Sequence, residues 1–431
     1  MSCNRLPCPS FRPRPHTSVP AMRISSISAY PILDSRGIWT VEVSLMLQNG
    51  VRAAASAPQG KSTGAAEMRA LPAAAAVKGV ANIVAPRIVH KDFRDQAELD
   101  EFLVRLDGTK NRARIGANTM LAVSIAFLRA MAHTKKVALW KHVRDEYGLW
   151  VDPTAKELHP RLFMNIVNGG LHAGNGLHFQ EYMIIPKSRT FAESVEVGTR
   201  IYHALGSALA KAKGRGATNL GDEGGFAPVF RNDLEPFLMI RAAARKLKLE
   251  KRIDLGLDAA ATDIKGMSRR QLQNFYKKLI KGFKPLYIED PFGENDFKGF
   301  AAMRAEYVGK GRGTVAGGTG MRSDLLIAGD DLTTTNTDRM ATAQVKGSVN
   351  AVIIKPNQIG TVTEALNAVR MARAYRWAVV VSHRSGETND DFIADFAYGV
   401  AADGFKLGAP ARGERIAKYN RLLAIEREAA R

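Results

Sequence analysis

The chain is expected to fold as an α/β protein: a variant TIM-type (β/α)8 barrel with an N-terminal α+β domain. Three observations carry that expectation. Short apolar runs recur through the second part of the chain, as "LFMNIVNGG", "EYMIIP", "IDLGLDAA", "PLYIEDP", "LLIAGDDL", "AVIIKPN" and "WAVVVSHRSG", with helix-compatible stretches between several of them. The later runs begin roughly 25–40 residues apart, the spacing of βα units. Each ends in polar or charged residues, among them Asp258, Glu289 with Asp290, Asp330 with Asp331, Lys355, and Ser382 to Arg384. A barrel gathers the carboxyl ends of its strands on one face, so these side chains would converge.

The elements follow in order. "MSCNRLPCPSFRPRPHTSVPA" is proline-rich and basic with no acidic residue, so residues 1–21 are expected to be a disordered extension. Its composition also fits a transit peptide; a dispensable extension is preferred because Met22 opens the first patterned segment. "TVEVSLMLQNGVRAAASA" (40–57) alternates and carries a Gln-Asn-Gly turn, which reads as a hairpin. From Met68 to about Trp140 the spacing is helical, and "NTMLAVSIAFLRAMAHTKKVALWKHV" predicts an amphipathic helix. Residues 22–150 therefore form the N-terminal domain. "GLWVDPTAKELHPR" (148–161) has linker chemistry, and 151–431 holds the barrel and the site.

The 431 residues suffice for a barrel and a smaller partner. No apolar run is long enough to span a bilayer, so a membrane protein is not expected. The net charge of +20 could signal nucleic acid or an anionic surface. Much of it is interleaved with apolar residues at helical spacing, as in "RAAARKLKLEKR" (241–252), which is usually a solvated helix face. The aromatics of a base-stacking surface are also lacking. Both cysteines, Cys3 and Cys8, lie in the extension. No disulfide can brace the fold, and a reducing cytoplasmic location fits.

Asp258, Glu289 and Asp330 come from three successive strand ends. Singly, each reads as an ordinary acid in a cap or an ion pair. In register they repel one another unless a cation lies between them, and hard oxygen donors without Cys or His favour Mg2+. In "AVIIKPNQIG" (351–360) a buried-looking strand runs straight into Lys355. A lone strand-end lysine usually snorkels to solvent; beside a metal it is a base. Burial and a neighbouring cation are expected to lower its pKa, and Lys406 in "FKLGAPARGER" would push the same way. This arrangement suits removal of a weakly acidic proton from the carbon next to a metal-bound carboxylate.

Glu223, in the glycine-rich turn "LGDEGGFAP" (220–228), reads either as a loop acid or as a proton donor across from Lys355. In "SHRSGET" (382–388), Arg384 can fork onto a phosphate with Ser385 donating beside it. "NGGLHAGNGLHFQEY" (168–182) holds His172, His178 and Glu181 in what reads as a mobile lid. "APQGKST" (57–63) looks like the end of a phosphate-binding P-loop, but Ala55 stands where the first glycine is required and Pro58 interrupts the loop. A loop bringing a serine and backbone amides to a substrate is the better reading.

With these residues laid out, the chain resembles enolase, the phosphopyruvate hydratase of glycolysis, from about Met22 to its end, with some archaeal-type features. The likeness rests on "DSRG" (34–37), "GKSTG" (60–64), "LDGT" (106–109), "GDEGGFAP", "GLDAAA" (256–261), "IEDPF" (288–292), "GDDL" (329–332), "IIKPNQIGT" (353–361), "VSHRSGET" (381–388) and "ERIAKYN" (414–420), in this order. The resemblance implies Mg2+-dependent dehydration of 2-phosphoglycerate to phosphoenolpyruvate, with two Mg2+ per site. It implies that Asp258, Glu289 and Asp330 hold the first Mg2+ and that Ser62 reaches the second. Lys355 would be the base at C2. Glu223 would help the C3 hydroxyl leave, supported by Glu181. Lys406 would lie beside the substrate carboxylate, Arg384 and Ser385 would clamp the phosphate, His172 would be the mobile-loop histidine, and His383 would line the pocket. It also implies a barrel with irregular early strands, a cytoplasmic enzyme, and a homodimer or higher homo-oligomer.

This sequence departs from the family pattern in places. Ile38 and Trp39 follow "DSRG" where Asn-Pro is usual, near the family's subunit contact. Lys61 stands where alanine is common, Leu171 replaces a serine, and Thr333 with Thr334 replaces an apolar pair. "GKGRGTVAGGTGMRS" (309–323) looks like a basic insertion. Two readings compete with an active enolase. A relative acting on another acid would keep the metal carboxylates and lose the phosphate clamp, against which Arg384 and Ser385 stand. A basic protein using the scaffold to bind nucleic acid or an anionic surface would lose its catalytic set and bind in a salt-sensitive way.

Overall fold

The computed structural model describes residues 21–146, 159–308 and 325–430. Nearly all of the expected extension, most of the linker, and the whole 309–323 stretch lie outside the described residues.

The N-terminal part is a four-stranded sheet. Its strands are β1 (Met22–Leu33), β2 (Trp39–Leu47), β3 (Arg52–Ser56) and β4 (Asp92–Phe93), in the spatial order β3-β2-β1-β4. β2 and β3 form the expected hairpin, with Met46 facing Arg52 across a turn in which Gly50 takes φ +84°. Alternation along β2 buries Val41, Val43, Leu45 and Leu47. The helix Ala117–Thr134 packs on that face. It was expected to be amphipathic, yet it is buried on nearly every side. The sheet covers one flank, and barrel segments Pro356–Ile359 and Val362–Ala374 cover another.

The helices begin where side chains can satisfy their first free N–H groups. Asp95 accepts from the Glu98 N–H, Thr190 from Glu193 and Thr361 from Glu364, and Ser268 with Gln271 completes a reciprocal capping box.

The second part closes into an eight-stranded barrel. The strands are β5 (Arg161–Asn168), β6 (Glu181–Pro186), β7 (Ile253–Asp258), β8 (Tyr287–Glu289), β9 (Leu326–Gly329), β10 (Ala351–Ile354), β11 (Ala378–Ser382) and β12 (Gly404–Lys406), with β12 pairing back onto β5. Six of the eight ladders are parallel; β6 runs antiparallel to both of its neighbours. β5 and β6 are joined by a loop with one short 3-10 turn rather than an α-helix, and two long helices, Phe191–Lys213 and Glu235–Lys246, precede β7. The barrel is a variant in this concrete sense.

Parity along the strands decides what faces the axis. Phe163, Met183, Ile185, Tyr287, Leu326, Ala328, Ala351, Ile353, Ala378 and Val380 form the inner core. Their neighbours Ile184, Ile288, Ile327, Val352, Ile354, Val379 and Phe405 belong to the outer core under the helices. Counting on by two from the inner set reaches Glu289, Asp330, Lys355 and Ser382. Counting back by two from Met183 reaches Glu181. The apolar interior thus ends in an ionisable layer at the barrel mouth.

Candidate active site

Lys355 points inward because Ala351 and Ile353 do. It is largely buried, with about a tenth of its side chain open to the cleft (11%), and its ammonium pairs with Asp330 Oδ2. Burial lowers its pKa, but the Asp330 carboxylate outweighs burial and raises it above the ordinary lysine value. The Asp330 contact thus works against the lowering expected from burial and a neighbouring cation. Asp330 answers in kind: burial pushes it up, and Lys355 and Lys406 bring it below the ordinary range.

Lys406, the last residue of β12, reaches across the barrel. Its Nζ lies 2.9 Å from Asp258 Oδ2, 2.9 and 3.0 Å from the two Glu289 oxygens, and 3.1 Å from Glu181 Oε2. Burial works against this ammonium, but the three carboxylates hold its pKa well above normal. Burial, with Asp258 beside it, pushes Glu289 up to about 8 against the pull of Lys406. Like-charged acids this close need cations among them, and two lysines supply them. Among the described residues, two sets bring three ligand atoms within 4.8 Å of one another: His172, Glu181 and Glu223, and Asp290, Asp330 and Asp331. Asp258, Glu289 and Asp330 are not such a set; Lys406 pairs with the first two and Lys355 with the third. The donors at these strand ends are all hard carboxylate oxygens, as Mg2+ prefers, and the ammonium of Lys406 marks a place where positive charge is stabilised.

Glu181 and Glu223 form the opposite wall. β6 enters the barrel from the mouth, so its first residue, Glu181, stands level with Asp258 at the end of β7. Glu223 hangs from the 220–228 turn, whose Phe226 bridges to Val167. Asn165 Nδ2 donates to Glu223 Oε2 at 3.0 Å. His172 Nδ1 lies 3.7 Å from Glu181 and 3.6 Å from Glu223, and His383 Nε2 lies 3.3 Å from Glu223. Arg415 Nη1 reaches His383 Nδ1 at 2.8 Å. A guanidinium only donates, so Nδ1 accepts, and the proton of the neutral ring sits on Nε2 facing Glu223. Burial brings His383 down to about 4 despite Glu223. Burial and Glu223 push Glu181 well up against Lys406; burial also pushes Glu223 up, but His383 and His172 hold it well below normal. The two acids are thus shifted in opposite directions, Glu181 toward its neutral form and Glu223 toward its carboxylate.

The phosphate-suited pair lies at the junction with the N-terminal part. Gln59 and Gly386 exchange backbone hydrogen bonds at 2.8 and 2.9 Å. Lys61 N–H donates to Ser385 Oγ at 2.7 Å, and Lys61 Nζ meets Asp222 Oδ2 at 2.8 Å. Arg384 Nη2 donates to the Ser62 carbonyl at 3.0 Å. The result is one cleft of about 320 Å3. Its lining includes Ser62, His172, Glu181, Glu223, Asp330, Lys355, His383, Arg384, Ser385 and Lys406. Asp258 and Glu289 lie under Lys406. His178 turns away and pairs with Asp233 at 2.9 Å.

Sequence reasoning missed several partners. Asp290, at a left-handed φ of +40°, accepts the N–H groups of Asp330 and Asp331 at 3.0 and 2.7 Å and fixes the turn after β9. Gln358 Nε2 donates to Asp330 Oδ1 at 2.9 Å. Glu67, from the N-terminal part, grips Arg384. A non-glycine residue at positive φ leaves no mark in sequence pattern, and Glu67 sits in a stretch with no periodicity.

The family profile described as "Enolase, N-terminal domain" matches residues 24–143, and the one described as "Enolase, C-terminal TIM barrel domain" matches residues 156–431. The chain is 39% identical to the enolase of Solanum lycopersicum over 441 residues, covering 94% of this chain and 95% of that protein. It is 40% identical to the enolase of Methanopyrus kandleri over 433 residues, covering 95% and 96%. It is 38% identical to that of Methanocaldococcus jannaschii over 426 residues, covering 94% and 95%.

Proposed function

The chain belongs to the enolase family, and from that premise we propose how its own residues dehydrate 2-phosphoglycerate. The reaction is that of a carbon–oxygen lyase of glycolysis, reversible in gluconeogenesis: a proton leaves C2, hydroxide leaves C3 as water, and phosphoenolpyruvate remains. We assign Lys355 as the base at C2. It must shed its own proton first, which Asp330 opposes until another cation engages that carboxylate. On the other wall, Glu223 passes a proton to the departing C3 hydroxyl, Glu181 stores it, and His172 and His383 orient the pair. Arg384 and Ser385 take the phosphate. Lys406, once freed from Asp258 and Glu289, takes the substrate carboxylate.

Asp258, Glu289 and Asp330 would hold one Mg2+, and Ser62 would serve a second. Bound there, Mg2+ supplies positive charge against the negative charge that builds on the substrate carboxylate as the C2 proton leaves. The chain also carries an exposed apolar cluster at the end of its first hairpin, Tyr30, Leu33, Ile38 and Trp39. This supports a homodimer or larger homo-oligomer. No helix among the described residues is long and apolar enough to cross a membrane; a cytoplasmic location is part of the proposal.

One observation carries the reading: a single cleft lined by two lysines, a buried acid pair and an arginine–serine pair. The test is formation of phosphoenolpyruvate from 2-phosphoglycerate with Mg2+. The wild type turns over, and Lys355→Ala loses at least about a thousandfold, within the range of general-base deletions. A folded, metal-loaded wild type inert on this substrate overturns the assignment.

A further inference from the structure

Arg384 is buried, and an isolated buried guanidinium needs a counter-charge. Glu67 supplies it. Arg384 Nη1 donates to Glu67 Oε2 at 2.9 Å and Nη2 donates to Oε1 at 3.2 Å. The carboxylate thus takes the end-on edge of the guanidinium, the one between its two Nη atoms. A guanidinium has a second bidentate edge, formed by Nε and Nη2. Among the described residues no acceptor meets Nε; Nη2 also donates to the Ser62 carbonyl at 3.0 Å, and Nη1 to Asn357 Oδ1 at 3.2 Å. Glu67 is itself fixed. Its Oε1 accepts from Gly64 N–H at 3.1 Å and from Gln358 Nε2 at 3.3 Å. Gly60 lets the guanidinium pass beneath the same loop, since a Cβ there would fall 1.8 Å from Arg384 Nη2.

We propose that Glu67 is a positioning residue for the substrate phosphate: it occupies the end-on edge of Arg384 and so leaves Nε, which meets no acceptor among the described residues, as the donor offered to the phosphate, with Nη2 shared between the phosphate and the Ser62 carbonyl. Because Glu67 and Ser62 ride on one loop, docking of that loop and readiness of Arg384 become a single event. The inference rests on Arg384 as the phosphate ligand, and its test separates the two ideas.

The probes are inorganic phosphate, bound to the Mg2+-loaded enzyme and followed calorimetrically, and 2-phosphoglycerate kinetics. In Glu67→Gln one accepting oxygen becomes an NH2 that faces an Nη–H. The dissociation constant for phosphate and the KM should rise together by about tenfold to a hundredfold, the range for losing a charge-assisted hydrogen bond. kcat should fall much less, and Mg2+ affinity should hold. In an Arg384→Gln background, Glu67→Gln should have no further effect, which a purely structural role elsewhere would not produce. Asn357→Ala, which removes the other acceptor on Nη1, should shift KM in the same direction by less, and it stands in if Glu67→Gln does not fold. Unchanged or tighter phosphate binding in Glu67→Gln overturns the positioning role. Phosphate affinity unchanged in Arg384→Gln overturns the clamp assignment beneath it.

Discussion

Lys406 Nζ lies 2.9 Å from Asp258 Oδ2 and as close to Glu289 Oε2, so an ammonium sits among the acids assigned to a metal. A cation can enter only by displacing it. Lys406→Met should therefore bind Mg2+ more tightly than wild type, while turnover collapses because the substrate carboxylate has lost its partner. Titration calorimetry with Mg2+ checks the first part. Weaker binding in Lys406→Met would mean that the lysine helps assemble the acids rather than competing for them.

The acid pair gives a second prediction. Burial and Glu223 push Glu181 toward its neutral form, so Glu181→Gln should be the milder of the two substitutions for folding. Glu223→Gln removes the carboxylate whose pKa His383, His172 and Arg415 hold down. It should cost about 10²–10⁴ in kcat, the usual worth of a positioned acid or base, and more stability than Glu181→Gln. Parallel kcat and melting measurements on the two variants decide it; equal melting losses would contradict the opposite shifts of the two acids.

Much of this layer is legible in the sequence. A run such as Val352, Ile353 and Ile354 followed by Lys355 marks a strand end, and a barrel gathers its strand ends at one mouth; which face of that strand meets the axis is not legible, because both are apolar. The reversal of β6 is not legible. "EYMIIP" reads the same in either direction, and only pairing with β5 and β7 shows that Glu181 enters from the mouth. Ionisation is equally hidden. The lowered pKa expected for Lys355 presumes a neighbouring cation, whereas the contact that forms is with Asp330, a residue 25 positions away.

A third prediction concerns how the two parts are held together. Asp100, on the helix Gln96–Asp107, accepts from Thr363 N–H at 2.9 Å and Thr363 Oγ1 at 2.6 Å, at the start of a barrel helix. Burial outweighs these bonds and raises Asp100 from 3.8 to about 6. A carboxyl with a raised folded-state pKa favours folding in its protonated form. Its contribution is complete below about pH 4, is lost as pH rises to about 6, and stays lost above. The loss is on the order of 3 kcal/mol. Asn does not titrate, so the melting-temperature difference between Asp100→Asn and wild type should drift in favour of the variant from pH 4 to pH 6 and then level off. A difference independent of pH would refute the shift.

The last prediction concerns the mouth of the cleft. Lys61 and Asp222 join the 57–67 loop to the 220–228 turn, and both are partly solvent-exposed. Exposed pairs contribute about 0.2–1 kcal/mol, so the pair should act as a weak latch, not a brace. Lys61→Ala and Asp222→Ala should each raise KM by at most about fivefold, with the double variant no worse than either alone, because both remove one interaction. Raising ionic strength to about 0.5 M should erase the difference from wild type, since it shortens the screening length to a few ångströms. Melting temperatures should stay within a degree or two of wild type. Additive KM effects that persist in salt would mean that Lys61 acts on the substrate phosphate itself and that Asp222 acts separately through Glu223.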